Sequence, residues 1–288
     1  MLKPDANIAV IAPAGVPDPA ALDEGIALLR QWGFRVTEGN HLRQRHRYNA
    51  GTIAARSADL LWALTDTGID GVWLARGGYG CIHSLPSLRN DLPTTRVVIG
   101  SSDATALLVA LWVRGHSRLI HGPMVDALVA RIDNESRAWI HNLLIGSDSP
   151  SINAKHFCGP KTYVSGPMIG GNLTVLASVA GTAFAMRSEQ SIVLLEDVGE
   201  AIYRLDRSVM QLRLSGALQH AKAIVLGQFI RCPAPKGATF TIEEVLLDLF
   251  EPLGIPVVIT AEIGHGERNL GWKYGAVVAI QNGAIHFD

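Results

Sequence analysis

The sequence predicts an α/β protein of two domains, on three observations. Short apolar runs alternate with segments whose apolar residues recur at helical spacing. Most runs close on glycine, proline, serine or acidic residues that mark a turn. The alternation is broken once, near residues 147–166, by a stretch of serine, proline, asparagine, lysine and glycine. Strand following helix at this pitch implies βαβ units and a mostly parallel sheet.

Residues 8–12 form the first apolar run, ended by Pro13 and Gly15, as in a buried strand. Residues 20–32 carry Leu22, Ile26 and Leu29 on one helical face and stop at Gly33. A strand over 34–37, a helix over 53–64 (Leu60, Leu61 and Leu64 together) and a strand over 71–75 follow. Next come a strand over 96–99 and a helix over 104–112. Beyond the break, a helix over 173–179, a strand over 192–195, a helix over 205–218 and a strand over 223–228 are expected. A helix over 242–250 and a strand over 257–261 follow them. Asn282-Gly283 between the apolar runs 276–280 and 284–287 signals a closing hairpin. The expected organisation is an N-terminal Rossmann/flavodoxin-like domain over 1–150 with a mostly parallel sheet and flanking helices, a linker over 151–166, and a smaller α/β domain over 167–288 ending in a β-hairpin.

Composition narrows the function. Of 288 residues, 18% are charged, Lys plus Arg (25) nearly balances Asp plus Glu (26), and glycine reaches 29. Mean hydropathy is +0.21. A chain so lightly charged is neither disordered nor a nucleic-acid binder working through bulk positive charge. Its apolar run at 106–113 is far short of the roughly 20 residues that span a bilayer, and the N-terminus lacks the h-region and cleavage site of a signal peptide, so a cytoplasmic protein is expected. Cys81, Cys158 and Cys232 are widely separated and form no CxxC pair, which speaks for buried thiols in a reducing compartment.

Three segments could carry chemistry. The turn at Ala12-Pro13-Ala14-Gly15 is not a G-x-G-x-x-G loop, and Pro13, Pro17 and Pro19 remove donors that a phosphate would need, so no nucleotide cofactor is expected. Arg76-Gly77-Gly78-Tyr79-Gly80 closes a strand at the edge where open α/β sheets bind ligands; it is either a plain turn or a loop whose backbone approaches a ligand. Gly100-Ser101-Ser102-Asp103-Ala104-Thr105 joins strand to helix, either as an N-cap or as a nucleophile elbow. A serine nucleophile needs a base and an orienting acid. Of ten histidines, His41 and His46 lie in an arginine-rich loop, whereas His265 stands between glycines that leave its ring accessible. Glu196 and Asp197 end an apolar strand, where a carboxylate costs desolvation unless partnered, or caps the next helix. Glu262 and His265 have no third metal ligand spaced nearby, and no metal is expected.

Six segments occur in order: Arg76-Gly77-Gly78-Tyr79-Gly80, Gly100-Ser101-Ser102-Asp103, Gly170-Gly171-Asn172-Leu173, Leu195-Glu196-Asp197-Val198-Gly199-Glu200, Arg204-Leu205-Asp206-Arg207 and Gly264-His265-Gly266. Together they resemble the L,D-carboxypeptidase family of serine peptidases, which includes muramoyltetrapeptide carboxypeptidases and microcin C immunity peptidases. The resemblance runs from the first strand to the last hairpin. It implies a triad of Ser102 (nucleophile), His265 (base) and Glu196 (orienting acid). The backbone N–H groups of Asp103 and Gly78 would form the oxyanion hole. The residue before the nucleophile is usually aromatic in the family and is Ser101 here; Ser102 is favoured because Asp103-Ala104-Thr105 follows it as the family's Asp-x-Thr does.

The implied reaction is release of terminal D-alanine from a cytoplasmic murein tetrapeptide, at the L-centre of a diamino acid, in peptidoglycan recycling. The resemblance also implies a homodimer with a small peptide substrate and no cofactor, nucleic acid or membrane partner. Arg76, Tyr79 and Arg204 are candidate substrate contacts, with Arg207 and Arg268 as further cations for the terminal carboxylate. The alternatives are a microcin C immunity-type peptidase acting on aminoacyl or peptidyl nucleotides, for which Trp272 and Tyr274 could stack on a base, and a non-catalytic two-domain module that binds a small ligand.

Overall fold

The computed structural model describes residues 2–147 and 151–287. The chain divides into one unit of Met1–Asp148 with Asn269–Lys273 and a second of Ser149–Arg268 with Tyr274–Asp288.

The first unit opens on β1 (Asn7–Ile11), buried from residue 8 onward because its aliphatic run is covered on both faces. Helix α1 (Pro19–Gln31) starts where Asp18 accepts the Ala21 N–H at 3.0 Å and Pro19 fills the first turn. It buries Leu22, Ile26 and Leu29, as their spacing requires. Strand β2 (Arg35–Glu38), helix α2 (Ile53–Thr65) capped by Thr52, and strand β3 (Gly71–Leu74) follow. The single-turn helix α3 (Cys81–Ser84), strand β4 (Val97–Gly100), helix α4 (Thr105–Val113), strand β5 (Leu119–His121) and helix α5 (Asn134–Ile145) complete the succession. The five strands are parallel in the order β2-β1-β3-β4-β5. This is the flavodoxin-like order, whose direction reverses between β1 and β3.

In the second unit, β6 (Ile152–Asn153), β7 (Lys155–Cys158) and β8 (Val164–Asn172) lead to α6 (Leu173–Val179), β9 (Ile192–Val198), α7 (Ile202–Leu214), β10 (Ala223–Ile230), α8 (Ile242–Phe250) and β11 (Val257–Ile259). Strand β12 (Trp272–Lys273) pairs antiparallel with β5 in the first sheet. The chain ends on the hairpin of β13 (Val277–Gln281) and β14 (Ala284–Phe287). Its turn residues Asn282 and Gly283 both have positive φ, the type I′ geometry that Asn-Gly favours. The second sheet runs β6-β14-β13-β8-β9-β10-β11-β7, parallel from β8 to β11 and antiparallel towards both edges.

Several expectations change. Residues 151–166, expected as a linker, hold β6, β7 and the start of β8; β6 and β7 are the two edge strands of the second sheet, where polar residues are normal. The expected domain boundary at residue 150 falls on 148–150, outside the described residues. Residues 269–273 belong to the first unit, not to the expected C-terminal domain. Strand β8 is unexpected because Gly166, Pro167, Gly170 and Gly171 are poor strand formers. Glycine is needed at position 170, where φ is +126° and a Cβ would lie 2.0 Å from Leu194 O. Helix α7 begins and ends earlier than expected, and β9 runs on through Glu196 and Asp197, which therefore lie inside a strand. Among the described residues no helix is long and apolar enough to cross a membrane.

Candidate active site

In the first unit the carboxyl ends of β1, β3 and β4 carry the loops of interest. Ser102 follows β4 and has φ +57°, in the left-handed region, whereas Ser101 is extended at φ −143° and buried. A non-glycine residue held left-handed between strand and helix is the backbone signature of a nucleophile elbow. Helix α4 behind it is buried around its whole circumference from Thr105 to Leu111, which roots the elbow in the core. Gly77 lies directly against Ser102: a Cβ there would sit 3.0 Å from Ser102 Oγ. Any larger residue at 77 would fill the space over the hydroxyl. Gly78, one residue on, has φ +100° and backs onto Gly15, whose N–H donates to Gly77 O at 2.9 Å. The Asp103 N–H is the first backbone donor past Ser102.

Buried side chains brace this loop. Asp103 accepts the Cys81 N–H at 2.8 Å, tying the start of α3 to the elbow. Burial pushes the Asp103 carboxyl above the usual range, opposed by the N–H groups of Cys81 and Gly80; burial and Asp103 together push the Cys81 thiol well up. Asn49 donates to Ala14 O at 3.3 Å and to Tyr79 O. The buried Arg56 donates to Pro13 O (2.9 Å), Gly51 O (2.6 Å) and His83 Nδ1 (2.9 Å). A guanidinium only donates, so His83 accepts at Nδ1. Desolvation lowers the Arg56 pKa. Tyr79 is exposed, edge-on to His83 with ring centroids 5.1 Å apart, and lies 6.3 Å from the Tyr48 ring. His41 is held by the buried Asp59, with Nδ1 2.7 Å from Oδ1.

In the second unit, strand alternation sends Glu196 and Asp197 to opposite faces of β9. Asp197 accepts from the Thr174 N–H (2.9 Å), the Thr174 hydroxyl (2.7 Å) and Asn172 Nδ2 (3.0 Å), so it caps α6 rather than the helix that follows it in sequence. Glu196 is fully buried and its Oε2 lies 2.6 Å from His265 Nδ1. An ionised carboxylate only accepts, so Nδ1 carries the proton and Nε2 presents the lone pair.

Gln228 in β10 builds the His265 loop. Its Oε1 accepts the Gly266 N–H at 2.6 Å, and its Nε2 donates to Ala261 O (2.5 Å) and Arg268 O (3.0 Å). A Cβ at Gly264 would lie 2.7 Å from Gln228 Cβ, and one at Gly266 2.8 Å from its Oε1. The glycines beside His265 therefore make room for Gln228, a different reason from the ring accessibility expected of them. Gln228 is missing from the expected site residues; its signal is a polar residue closing the run 223–227, as Glu196 closes the run 192–195.

Of the candidate cations, Arg204 stands exposed at the start of α7, 3.5 Å from Glu200, with its Nε donating to the Tyr203 hydroxyl at 3.3 Å. Arg207 lies over the same Tyr203 ring, 5.3 Å from its centroid. Arg76 instead anchors on Asp126 at 2.9 Å. Trp272 and Tyr274, expected as stacking candidates, are buried. Trp272 stacks on His121 at 5.2 Å, and the Tyr274 hydroxyl accepts the Gly170 N–H at 3.1 Å. Both rings are spent on packing, because each sits where the chain enters or leaves a strand.

Comparison with known proteins places these features. A family model for the LD-carboxypeptidase N-terminal domain matches residues 8–122, and one for the LD-carboxypeptidase C-terminal domain matches residues 165–280. The murein tetrapeptide carboxypeptidase of Pseudomonas aeruginosa is 36% identical over 296 aligned residues, covering 98% of this chain and 95% of that protein. The muramoyltetrapeptide carboxypeptidase of Oxalobacter formigenes superposes with a TM-score of 0.80 at 28% identity, over 96% of this chain and 97% of that one. The microcin C7 self-immunity protein shares the fold, with a TM-score of 0.87 at 21% identity over 99% and 96% of the two chains.

Proposed function

The chain belongs to the LD-carboxypeptidase family of serine-type carboxypeptidases, and from that premise we propose that it releases terminal D-alanine from murein tetrapeptides by a triad of Ser102, His265 and Glu196. The Ser102 hydroxyl attacks the carbonyl that joins the L-centre of the diamino acid to D-alanine. His265 Nε2 takes the hydroxyl proton and passes it to the leaving amine; water then cleaves the acyl-enzyme by the same route. Glu196 keeps the proton on Nδ1 and stabilises the imidazolium. The N–H groups of Asp103 and of the Gly77-Gly78 loop receive the developing oxyanion.

The observation that carries the proposal is the left-handed backbone of Ser102 against Gly77, supported by the 2.6 Å bond between His265 and Glu196. Identity of 36% along nearly the whole chain favours a murein peptide over an aminoacyl nucleotide, for which the likeness to the immunity protein rests on fold. The test incubates wild type, Ser102→Ala and Ser101→Ala with L-Ala-D-Glu-meso-diaminopimelate-D-Ala and follows free D-alanine by mass spectrometry. Wild type and Ser101→Ala should release it, and Ser102→Ala should lose at least ~10³-fold in rate. Release by Ser102→Ala but not Ser101→Ala overturns the nucleophile. A wild type that spares the tetrapeptide but cleaves an aminoacyl-adenylate analogue overturns the substrate.

A further inference from the structure

A carboxypeptidase must tell a chain end from a chain interior, and the first unit holds a charged group suited to that task beside the elbow. Asp126 is buried, with its side chain 1% exposed, in the turn after β5, and its backbone N–H donates to Ala75 O at the end of β3. Each of its oxygens receives a different guanidinium: Arg76 Nη1 at 2.9 Å on Oδ2 and Arg131 Nη2 at 2.5 Å on Oδ1. One arginine would neutralise the carboxylate, so the second leaves the cluster with a net positive charge. Both guanidiniums reach solvent, with the Arg76 side chain 39% exposed and that of Arg131 53%. Among the described residues neither side chain makes another hydrogen bond, so each keeps donors from its five N–H groups.

We propose that Arg76 and Arg131, held side by side on Asp126, bind the free C-terminal carboxylate of the peptide substrate. Arg76 directly precedes Gly77, the residue packed on Ser102 Oγ, and its side chain crosses Gly15, where a Cβ would lie 3.7 Å from Arg76 Cδ. In a substrate losing one residue, the terminal carboxylate lies a single residue, on the order of 3.8 Å, beyond the scissile peptide. Arg76 is the residue next to Gly77, which packs on Ser102 Oγ, so its guanidinium is rooted on the same loop. Two forks on a common anchor suit a planar carboxylate, which arginine binds in two-point geometry. The candidate cation Arg204 has no such anchor; its carboxylate partner, Glu200, lies 3.5 Å away and is itself 20% exposed, against 1% for Asp126. The assignment rests on the proposed carboxypeptidase reaction for its role, while the clamp can be tested without turnover.

The test measures binding of N-acetyl-D-alanine, its C-terminal amide and N-acetyl-aspartate α-amide by ligand-observed NMR to wild type, Arg131→Gln, Arg131→Lys and Arg76→Gln, each first checked for native circular dichroism. N-acetyl-D-alanine should bind wild type, its amide should not, and each Gln variant should weaken the acid roughly tenfold or more, as losing a charged hydrogen bond does. Arg131→Lys should recover part of the loss. Equal binding of acid and amide, or unchanged binding by both Gln variants, overturns the proposal. Preferential binding of the aspartate side-chain carboxylate overturns the assignment to a chain end. Hydrolysis of the tetrapeptide and of its C-terminal amide is read in parallel, and the preference for the acid should shrink in the variants. If wild type hydrolyses neither peptide yet binds N-acetyl-D-alanine through the two arginines, the clamp stands and the proposed reaction falls.

Discussion

Ser102 holds a conformation that costs a serine about 1–2 kcal/mol relative to right-handed backbone, and it is kept there by the buried helix α4 behind it and Gly77 in front. Strain of this kind is retained where it aims a side chain. Stability and activity should therefore separate at this position. Ser102→Gly, which accepts positive φ freely, is expected to be more stable than Ser102→Ala by about 1 kcal/mol in urea unfolding, while both are inactive. A glycine variant that unfolds at lower urea than the alanine variant would show that the left-handed backbone stores no strain. The serine, glutamate and histidine of the proposed triad are implied, in that order, by the resemblance of the six segments. Which of two adjacent serines is set left-handed is not legible in the sequence, because φ at position 102 depends on packing around Gly77 and α4.

At the level of elements, one strand residue organises an entire loop. Gln228 bonds three backbone groups around His265 and fills the space that side chains at 264 and 266 would need. Gln228→Ala removes that frame while leaving Glu196 and His265 in the sequence. The loop should then sample orientations in which the ring is misaimed, and displacement of about 1 Å can cost roughly 100-fold in rate. The expected result is a kcat lowered roughly 10- to 100-fold with KM changed little. The pH–rate profile should also shift, because the bond from Nδ1 to Glu196 is no longer enforced. Steady-state kinetics from pH 5 to 9 measures both. An unchanged profile with a uniformly lowered amount of folded enzyme would assign Gln228 a purely structural role. Elements of this kind are only partly legible. Strand 223–228 and the Gly-His-Gly loop were each visible, but their union through one side chain is a tertiary fact. The Gly- and Pro-containing β8 and the polar edge strands β6 and β7 lack the alternation that marks a strand, so their pairing partners define them.

Across the whole molecule, the two units are threaded through one another in sequence. Residues Asn269–Lys273 leave the second unit, add β12 to the first sheet and return. The excursion is held at both ends, by Gln228 on Gly266 and by the Gly275 N–H donating to Met168 O at 2.7 Å. This pre-closed loop makes docking of β12 on β5 cheap in chain entropy, and losing it releases the buried Trp272. A strand of two residues carries no periodicity, so the sequence does not show the return. The cysteines report on the consequence. Cys81 lies in the first unit and Cys158 and Cys232 in the second; all three are buried, and burial raises each thiol above its ordinary pKa. A buried, protonated thiol is a poor nucleophile, so none should react with iodoacetamide at neutral pH in the folded protein. Pulsed alkylation across a urea series, read by mass spectrometry, should show the three sites becoming reactive at a common midpoint, because unfolding either unit frees the shared segment. Labelling of Cys81 at markedly lower urea than Cys158 and Cys232, or the reverse, would show that the threaded strand does not couple the units.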